Sequence, residues 1–501
     1  MTGNSVRFVD TTFRDGSQSL WAMNMHGGMM EAVAGDLDRA GLEVIEVPAN
    51  PINFKKMIRD LKENPWALMR ALANKMPNTQ KACMGAGLNL NPLGAPTPPE
   101  LGKLFWELQA EIGAVNRVQL VCNTADQIER SFPTIMPYFQ GLGMKVACAL
   151  SYSISPRHTD EHYIEKTRAL LPLKPDVIYL KDQGGLLTVD RLRTLLPAIQ
   201  GAAGDVPLEI HSHCTTGLAP LVYMEALKLG VRTLHTGVPP LAEGPAQPSV
   251  LTTLRNARHL GYTSDLDEEL LQSVSERLTQ FAIRDGKPLG QPMPYDCYQY
   301  VHQIPGGVIS NLQFQLSELR QEDRLDEVIA ECVTVHRDLG YPVMITPFSQ
   351  YVATQSVMNV VTGERYGMVT DEVIRLAQGI YGKDSGYEAM DPDIKDKLLG
   401  SARAKELAKL DSEAREPVSA KQMREIYGGA GVSDEELLLR VIMQGTSELD
   451  AMRAAGPPRQ YFTSDTPTVK LLDELNKYEA VRSIHISCGR DSIAVQKRAA
   501  T

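Results

Sequence analysis

The sequence predicts an α/β fold: a (β/α)8 barrel followed by a mostly helical C-terminal region. Three observations predict it. Short apolar runs alternate with amphipathic helical runs from Val6 to about Leu260. About eight such units in ~250 residues match the TIM-barrel architecture. Polar clusters also fall at the C-terminal ends of several different strands, where barrels build their sites, and this favours the barrel over a doubly wound open sheet.

The strands are read at Val6–Val9, Val44–Val47, Lys81–Met84, Arg117–Cys122, Lys145–Tyr152, Val177–Lys181, Leu208–His211 and Thr233–Thr236. Helices between them include Met29–Arg39, Phe54–Lys75 and Pro220–Leu229, each stopped by Gly, Asn or Pro. Ser264-Asp-Leu-Asp-Glu-Glu269 then opens a helix with a capping residue and an acidic first turn. Pro288–Pro294 and Pro305-Gly-Gly307 read as turns. Further helices are expected at Asn311–Leu339, Gln350–Thr362, Thr370–Tyr381, Asp391–Leu410 and Asp434–Gln444, with Lys405–Lys421 as solvated helix and linker. Gly489-Arg-Asp491 reads as a hairpin turn between Val481–Ser487 and Ser492–Gln496. The expected domains are 1–262, a catalytic barrel; 263–428, a helical domain that completes the site; and 429–501, a helix plus β-hairpin extension.

A formal charge of 51 − 61 = −10 over 501 residues argues against a general nucleic-acid binder. Seven scattered cysteines without C-x-x-C pairing point to reduced thiols and a cytoplasmic protein. No apolar run is long enough to span a bilayer, and no signal peptide is visible.

Three strand ends carry the chemistry. The first strand breaks into Asp10-Thr-Thr-Phe-Arg-Asp-Gly-Ser-Gln18, the sixth ends Leu-Lys181-Asp182, and the seventh ends His211-Ser-His213. Residues i and i+2 of a strand share a face, so both imidazoles can meet one ion. Asp15 adds a hard oxygen, and this donor set suits Zn²⁺, Mn²⁺ or Co²⁺. Lys181 has two readings: a salt bridge to a neighbouring acid, or a carbamate that offers a ligand oxygen.

These stretches resemble a known family. Asp10-Thr-Thr-Phe-Arg-Asp-Gly-Ser-Gln-Ser19, Leu180-Lys-Asp-Gln-Gly-Gly-Leu-Leu187 and Ile210-His-Ser-His-Cys-Thr-Thr-Gly217 are similar to motifs of the biotin-dependent carboxyltransferases. That family includes the carboxyltransferase domain of pyruvate carboxylase, the transcarboxylase 5S subunit and the oxaloacetate decarboxylase alpha subunit. Gln247-Pro-Ser249, Pro305-Gly-Gly-x-x-Ser-Asn311 and Ile345-Thr-Pro-x-Ser349 match in order. The wider superfamily of 3-hydroxy-3-methylglutaryl-CoA lyase and isopropylmalate synthase lacks the Lys-Asp-x-x-Gly strand end, so Lys181 decides for the carboxyltransferase branch.

The resemblance implies that Asp15, His211, His213 and a carbamylated Lys181 ligate a divalent metal. It places Arg14 and Gln18 at the substrate carbonyl or its enolate. Thr346 shuttles a proton and, with Ser349, meets biotin. The helical domain forms a funnel over the barrel mouth. Biotin arrives on a separate carrier subunit, charged by a biotin carboxylase subunit, because this chain has no Ala-Met-Lys-Met motif and no phosphate loop. A homodimer is the family expectation. The alternative is a stand-alone metal-dependent decarboxylase or lyase of 2-oxo acids, and a non-enzymatic scaffold is a third reading.

The third strand departs from the family. Leu-Leu-Arg-Gly-x-Asn-x-x-Gly-Tyr is replaced by Ala82-Cys-Met-Gly-Ala-Gly-Leu-Asn-Leu-Asn91, so the carboxylate-gripping arginine is Met84 and the tyrosine is Asn91. A thioether does not replace a bidentate guanidinium. The expected acceptor is therefore not pyruvate, unless a residue such as Arg157 substitutes. Ser17 stands where the family often has histidine.

Overall fold

The computed structural model describes residues 3–91, 96–412, 418–462, 471–472, 474–475, 478, 480–488 and 491–496. Eight parallel strands close into a barrel in chain order. They are β1 (Arg7–Asp10), β2 (Val44–Glu46), β3 (Gln80–Met84), β4 (Arg117–Cys122), β5 (Lys145–Ser151), β6 (Val177–Asp182), β7 (Leu208–Ser212) and β8 (Thr233–Thr236). β1 bonds both β2 and β8, which closes the ring and excludes the open sheet. Strands covered on both faces read as near-continuous apolar runs, and these are buried almost throughout.

Side chains fill the barrel in layers. Val9, Val44 and Ala82 pack in one cluster, and Met84, Ala147, Ala149, Val177 and Tyr179 in another. Arg117 of β4 makes two hydrogen bonds to Glu209 of β7, at 3.0 and 2.5 Å, and both side chains are buried. Burial alone would raise the Glu209 carboxyl, but Arg117 and His235 outweigh it and hold the group down to about 2.

Several helices are shorter than the sequence pattern predicts. The expected 54–75 helix is two, because Lys62 turns left-handed (φ 57°) and Asn64 caps a new helix, Pro65–Lys75. Proline fits there, since its missing N–H is one of the orphans of a first turn. The expected 311–339 helix is Gly306–Glu318 and Leu325–Asp338, broken where Arg320 takes φ 55°. Pro305-Gly-Gly307 is thus a helix start, not a free turn. Ser401 likewise separates Pro392–Gly400 from Ala402–Ser412, and the helix after Thr370 ends at Ala377.

This helical region is centred on Phe348–Thr362 and has a core of its own, including Val328, Cys332, Val335, Val352 and Val357. It docks on the loops that leave the C-terminal ends of β4, β5 and β6. Asp384 accepts from the Ala125 N–H at 2.8 Å, and Gln303 donates to the Ile154 carbonyl at 2.7 Å and accepts from its N–H at 3.1 Å. Gln299 reaches the Gly184 carbonyl at 3.5 Å. The helices Asp434–Met443 and Ser447–Ala454 lie against the outer barrel, where Trp66 donates to the Glu435 carbonyl and Lys62 pairs with Glu448 at 2.8 Å.

Residues 459–501 cluster as a separate unit. Within it, strands β9 (Ser483–Cys488) and β10 (Asp491–Gln496) pair antiparallel, with Ile486 opposite Ile493. Residues 489–490 of the expected turn lie outside the described residues. Among the described residues, six cysteines are unpaired and only Cys297 of them is exposed. No helix among them is long and apolar enough to cross a membrane.

The loop after β3 rests directly on the helix Pro99–Ile112. A Cβ at Gly102 would lie 1.9 Å from the Leu88 carbonyl oxygen. Gly102→Ala should therefore destabilise the fold by about 1–3 kcal/mol through overpacking. Thermal unfolding checks this, and an unchanged melting temperature would contradict the contact.

Candidate metal centre

β1 ends at Asp10, and the chain then makes a wide helical turn, Thr12–Gly16, in which every residue is buried. Thr12 secures the turn by donating to Asp10 through its N–H (3.2 Å) and its hydroxyl (2.7 Å). Gly16 is required by close approach, since a Cβ there would lie 2.3 Å from the Leu241 carbonyl oxygen. The turn aims Arg14 and Asp15 into the mouth. From the other side, Lys181 of β6 stands in register with His211 of β7. His213 follows two residues on, and its side chain is also buried.

Four groups converge. Asp15 Oδ2 lies 3.3 Å from His211 Nε2, 3.7 Å from His213 Nε2 and 3.5 Å from Lys181 Nζ. Lys181 Nζ is 3.1 Å from His211 Nε2. Arg14 adds a 3.0 Å contact to the same Asp15 oxygen. Burial works against the Asp15 anion, yet the charges of Arg14 and Lys181 hold its carboxyl well below the usual carboxylate range. Burial pushes Lys181 below the ordinary lysine range, with Asp15 opposing. His211 is driven well below the usual imidazole value by burial and by the Lys181 charge, so it stays neutral.

The donor set fits a divalent cation. One ligand atom each from Asp15, His211 and His213 lies within 4.8 Å of the other two. His213 Nδ1 donates to the Pro245 carbonyl at 2.6 Å, which leaves its Nε2 lone pair facing the cluster. Two imidazole nitrogens and a carboxylate suit Zn²⁺, Mn²⁺ or Co²⁺.

Known proteins resemble this chain over most of its length. Residues 300–451 match the family described as a conserved carboxylase domain. The chain is 34% identical over 384 residues to a pyruvate carboxylase subunit of Methanocaldococcus jannaschii, spanning 75% of this chain and 66% of that protein. It is 30% identical over 459 residues to the methylmalonyl-CoA carboxyltransferase 5S subunit of Propionibacterium freudenreichii, covering 90% of this chain and 88% of that one. The chain belongs to the carboxyltransferase family of biotin-dependent carboxylases. Its fold is that of the carboxyl transferase domain of Rhizobium etli pyruvate carboxylase, solved with oxamate and biotin. The TM-score is 0.76 at 22% identity, over 91% of this chain and 79% of that one.

The other residues singled out from the sequence fall in several places in this carboxyltransferase fold. Arg14 is buried beside Asp15, and its Nε donates to Glu46 at 2.8 Å. Gln18 lies on the short helix Ser17–Trp21 with an exposed side chain, and Ser17 beside it is buried. Thr346 is exposed in the turn before Phe348–Thr362. The Ser349 hydroxyl is buried without a partner among the described residues. Arg157 is committed to the carbonyls of Gly340 (2.9 Å) and Asp384 (3.2 Å), so it braces the helical region and does not replace the missing arginine. Met84 sits in the apolar cluster with Tyr179, whose hydroxyl is 3.7 Å from its sulfur. Asn91 is buried in the loop beyond.

Two further residues join the site without a role assigned from sequence. Gln247 Nε2 lies 3.2 Å from His211 Nε2 and 2.9 Å from His213 Nε2, while Thr11 donates to its Oε1 at 2.7 Å. Glu46 grips Arg14 from the end of β2. An acid closing the apolar run Val44-Ile-Glu46 is the available signal for Glu46, and the Gln247-Pro-Ser249 motif for Gln247.

Proposed function

We propose that this chain is the carboxyltransferase subunit of a multi-subunit biotin-dependent carboxylase, acting on a carbonyl acceptor other than pyruvate. The observation that carries the reading is Lys181 set among Asp15, His211 and His213 at the barrel mouth.

In this reading Asp15, His211 and His213 hold the cation, and Lys181 completes the set as a carbamate. The ammonium first gives up one proton. The neutral Nζ lone pair then attacks the carbon of CO₂, an N–C bond forms as one C=O π bond opens onto oxygen, and a second proton leaves to solvent, so a carbamate anion replaces the ammonium. The lowered basicity of Lys181 supports this, because only the neutral amine reacts. When bound, the cation stabilises developing oxyanion charge and carboxybiotin supplies CO₂. Arg14, held by Glu46, presents a fixed guanidinium to the acceptor oxygen. Thr346, exposed in the turn before Phe348–Thr362, would hold at its Oγ1 the proton exchanged with biotin, and Ser349, fully buried without a hydrogen-bond partner among the described residues, would meet biotin only once uncovered. The helical region over β4–β6 excludes water from the enolate.

Met84 supports the choice of acceptor. It lies in an apolar cluster, and Arg157 is committed elsewhere, so neither supplies a bidentate grip for a small carboxylate. A ketone or a larger 2-oxo acid fits better. Carboxylation assays against pyruvate, larger 2-oxo acids and simple ketones test this. Pyruvate should be a poor acceptor, and pyruvate as the best of the panel would contradict the reading. Thr346→Ala should block carboxyl transfer while leaving bound metal unchanged. Retained transfer would return Thr346 to a structural role.

A further inference from the structure

Below the metal cluster lies a second polar chain that the proposed chemistry does not use. His211 Nδ1 faces His235 Nδ1 at 3.3 Å. His235 Nε2 is 2.9 Å from Glu209 Oε2, and Glu209 is anchored by Arg117. All four side chains are buried, drawn from β4, β7 and β8, and Tyr179 stacks on His235 at 5.0 Å between centroids.

Proton logic fixes the direction of this chain. Arg117 holds Glu209 as a carboxylate, which can only accept, so His235 carries a hydrogen at Nε2 and, as a neutral ring, offers its Nδ1 lone pair to His211. His211 Nδ1 therefore carries the hydrogen and donates it to His235 Nδ1. His211 Nε2 then keeps its lone pair, which faces Lys181 Nζ at 3.1 Å and Gln247 Nε2 at 3.2 Å. In the reverse arrangement, His211 would point an N–H at the cluster.

We infer that Glu209 and His235 are positioning residues that lock His211 in the tautomer able to ligate a metal. The inference rests on the metal-centre reading for its consequence. The relay itself can be measured without metal. Partners behind a ligating histidine set its tautomer and orientation, and losing them typically costs about 10- to 100-fold in metal affinity.

The test is ring-¹⁵N NMR of histidine-labelled, metal-free protein, together with Zn²⁺ competition against a chromophoric chelator. In the wild type, His211 should be protonated at Nδ1 and His235 at Nε2. His235→Phe keeps the stacking surface and leaves the Arg117–Glu209 pair intact. It should give mixed His211 tautomers and weaken Zn²⁺ binding by about 10- to 100-fold. His235→Gln can accept from His211 and donate to Glu209, and should preserve both readings. Protonation of His211 at Nε2 in the wild type would overturn the inference, as would an unchanged tautomer and affinity in His235→Phe. If His235→Phe does not fold, the wild-type spectrum and His235→Gln still decide. A wild-type protein with the expected tautomers that takes up no Zn²⁺ would contradict the metal-centre reading and leave the relay standing.

Discussion

His211→Ala should strip the metal and lower carboxyl-transfer turnover by about 1000-fold, the scale of the several kcal/mol that a cation contributes to oxyanion stabilisation. The reason lies in the geometry. His211 is fully buried and touches both Asp15 and Lys181, so no solvent-exposed side chain can take its place. Its imidazole is held neutral by burial and by the Lys181 charge, as a ligand must be. Alanine leaves Asp15, His213 and the Lys181 carbamate, one protein ligand short of the proposed set of four, which weakens the hold on a cation. Metal content and turnover on the same preparation check this. A full metal complement in the variant would remove His211 from the site.

Lys181→Arg should also lose activity, by a comparable factor, but with a different signature. Arginine keeps the positive charge and can still pair with Asp15, so a purely electrostatic role would survive the change. It cannot become a carbamate, because its guanidinium stays protonated. Protein loaded with ¹³C-bicarbonate should show a carbamate carbon signal in the wild type and none in Lys181→Arg. The burial that lowers the Lys181 pKa also gives the pH direction. Carbamate formation should fade as pH falls and the amine protonates, and adding bicarbonate should partly restore it. Full activity in Lys181→Arg would reduce the lysine to a salt-bridge partner of Asp15.

The barrel strands were legible in the sequence to within one or two residues, because strands buried on both faces are short apolar runs with polar ends. β4 and β8 match the sequence reading at both ends, and β5 stops one residue earlier, at Ser151. Helix breaks were less legible. Asn64-Pro65 was a visible signal that the long apolar periodicity of 54–75 overrode, whereas Arg320 adopts a left-handed conformation that no arginine announces. Asp15, His211 and His213 could be read because strand periodicity places i and i+2 on one face. The role of Gln247 could not, since it depends on how the loop after β8 folds back over both imidazoles. Arg157 shows the same limit: sequence spacing put a guanidinium near the mouth but could not tell that two backbone carbonyls already hold it.

The most direct test of the proposed enolate chemistry is α-proton exchange in D₂O followed by NMR. The purified chain is run with and without free biotin, against pyruvate, larger 2-oxo acids, simple ketones and acyl-CoAs. Exchange should be confined to one acceptor other than pyruvate, enhanced by biotin and abolished by chelation. Exchange that survives complete removal of metal, or that needs no biotin at any concentration, would contradict the proposed chemistry.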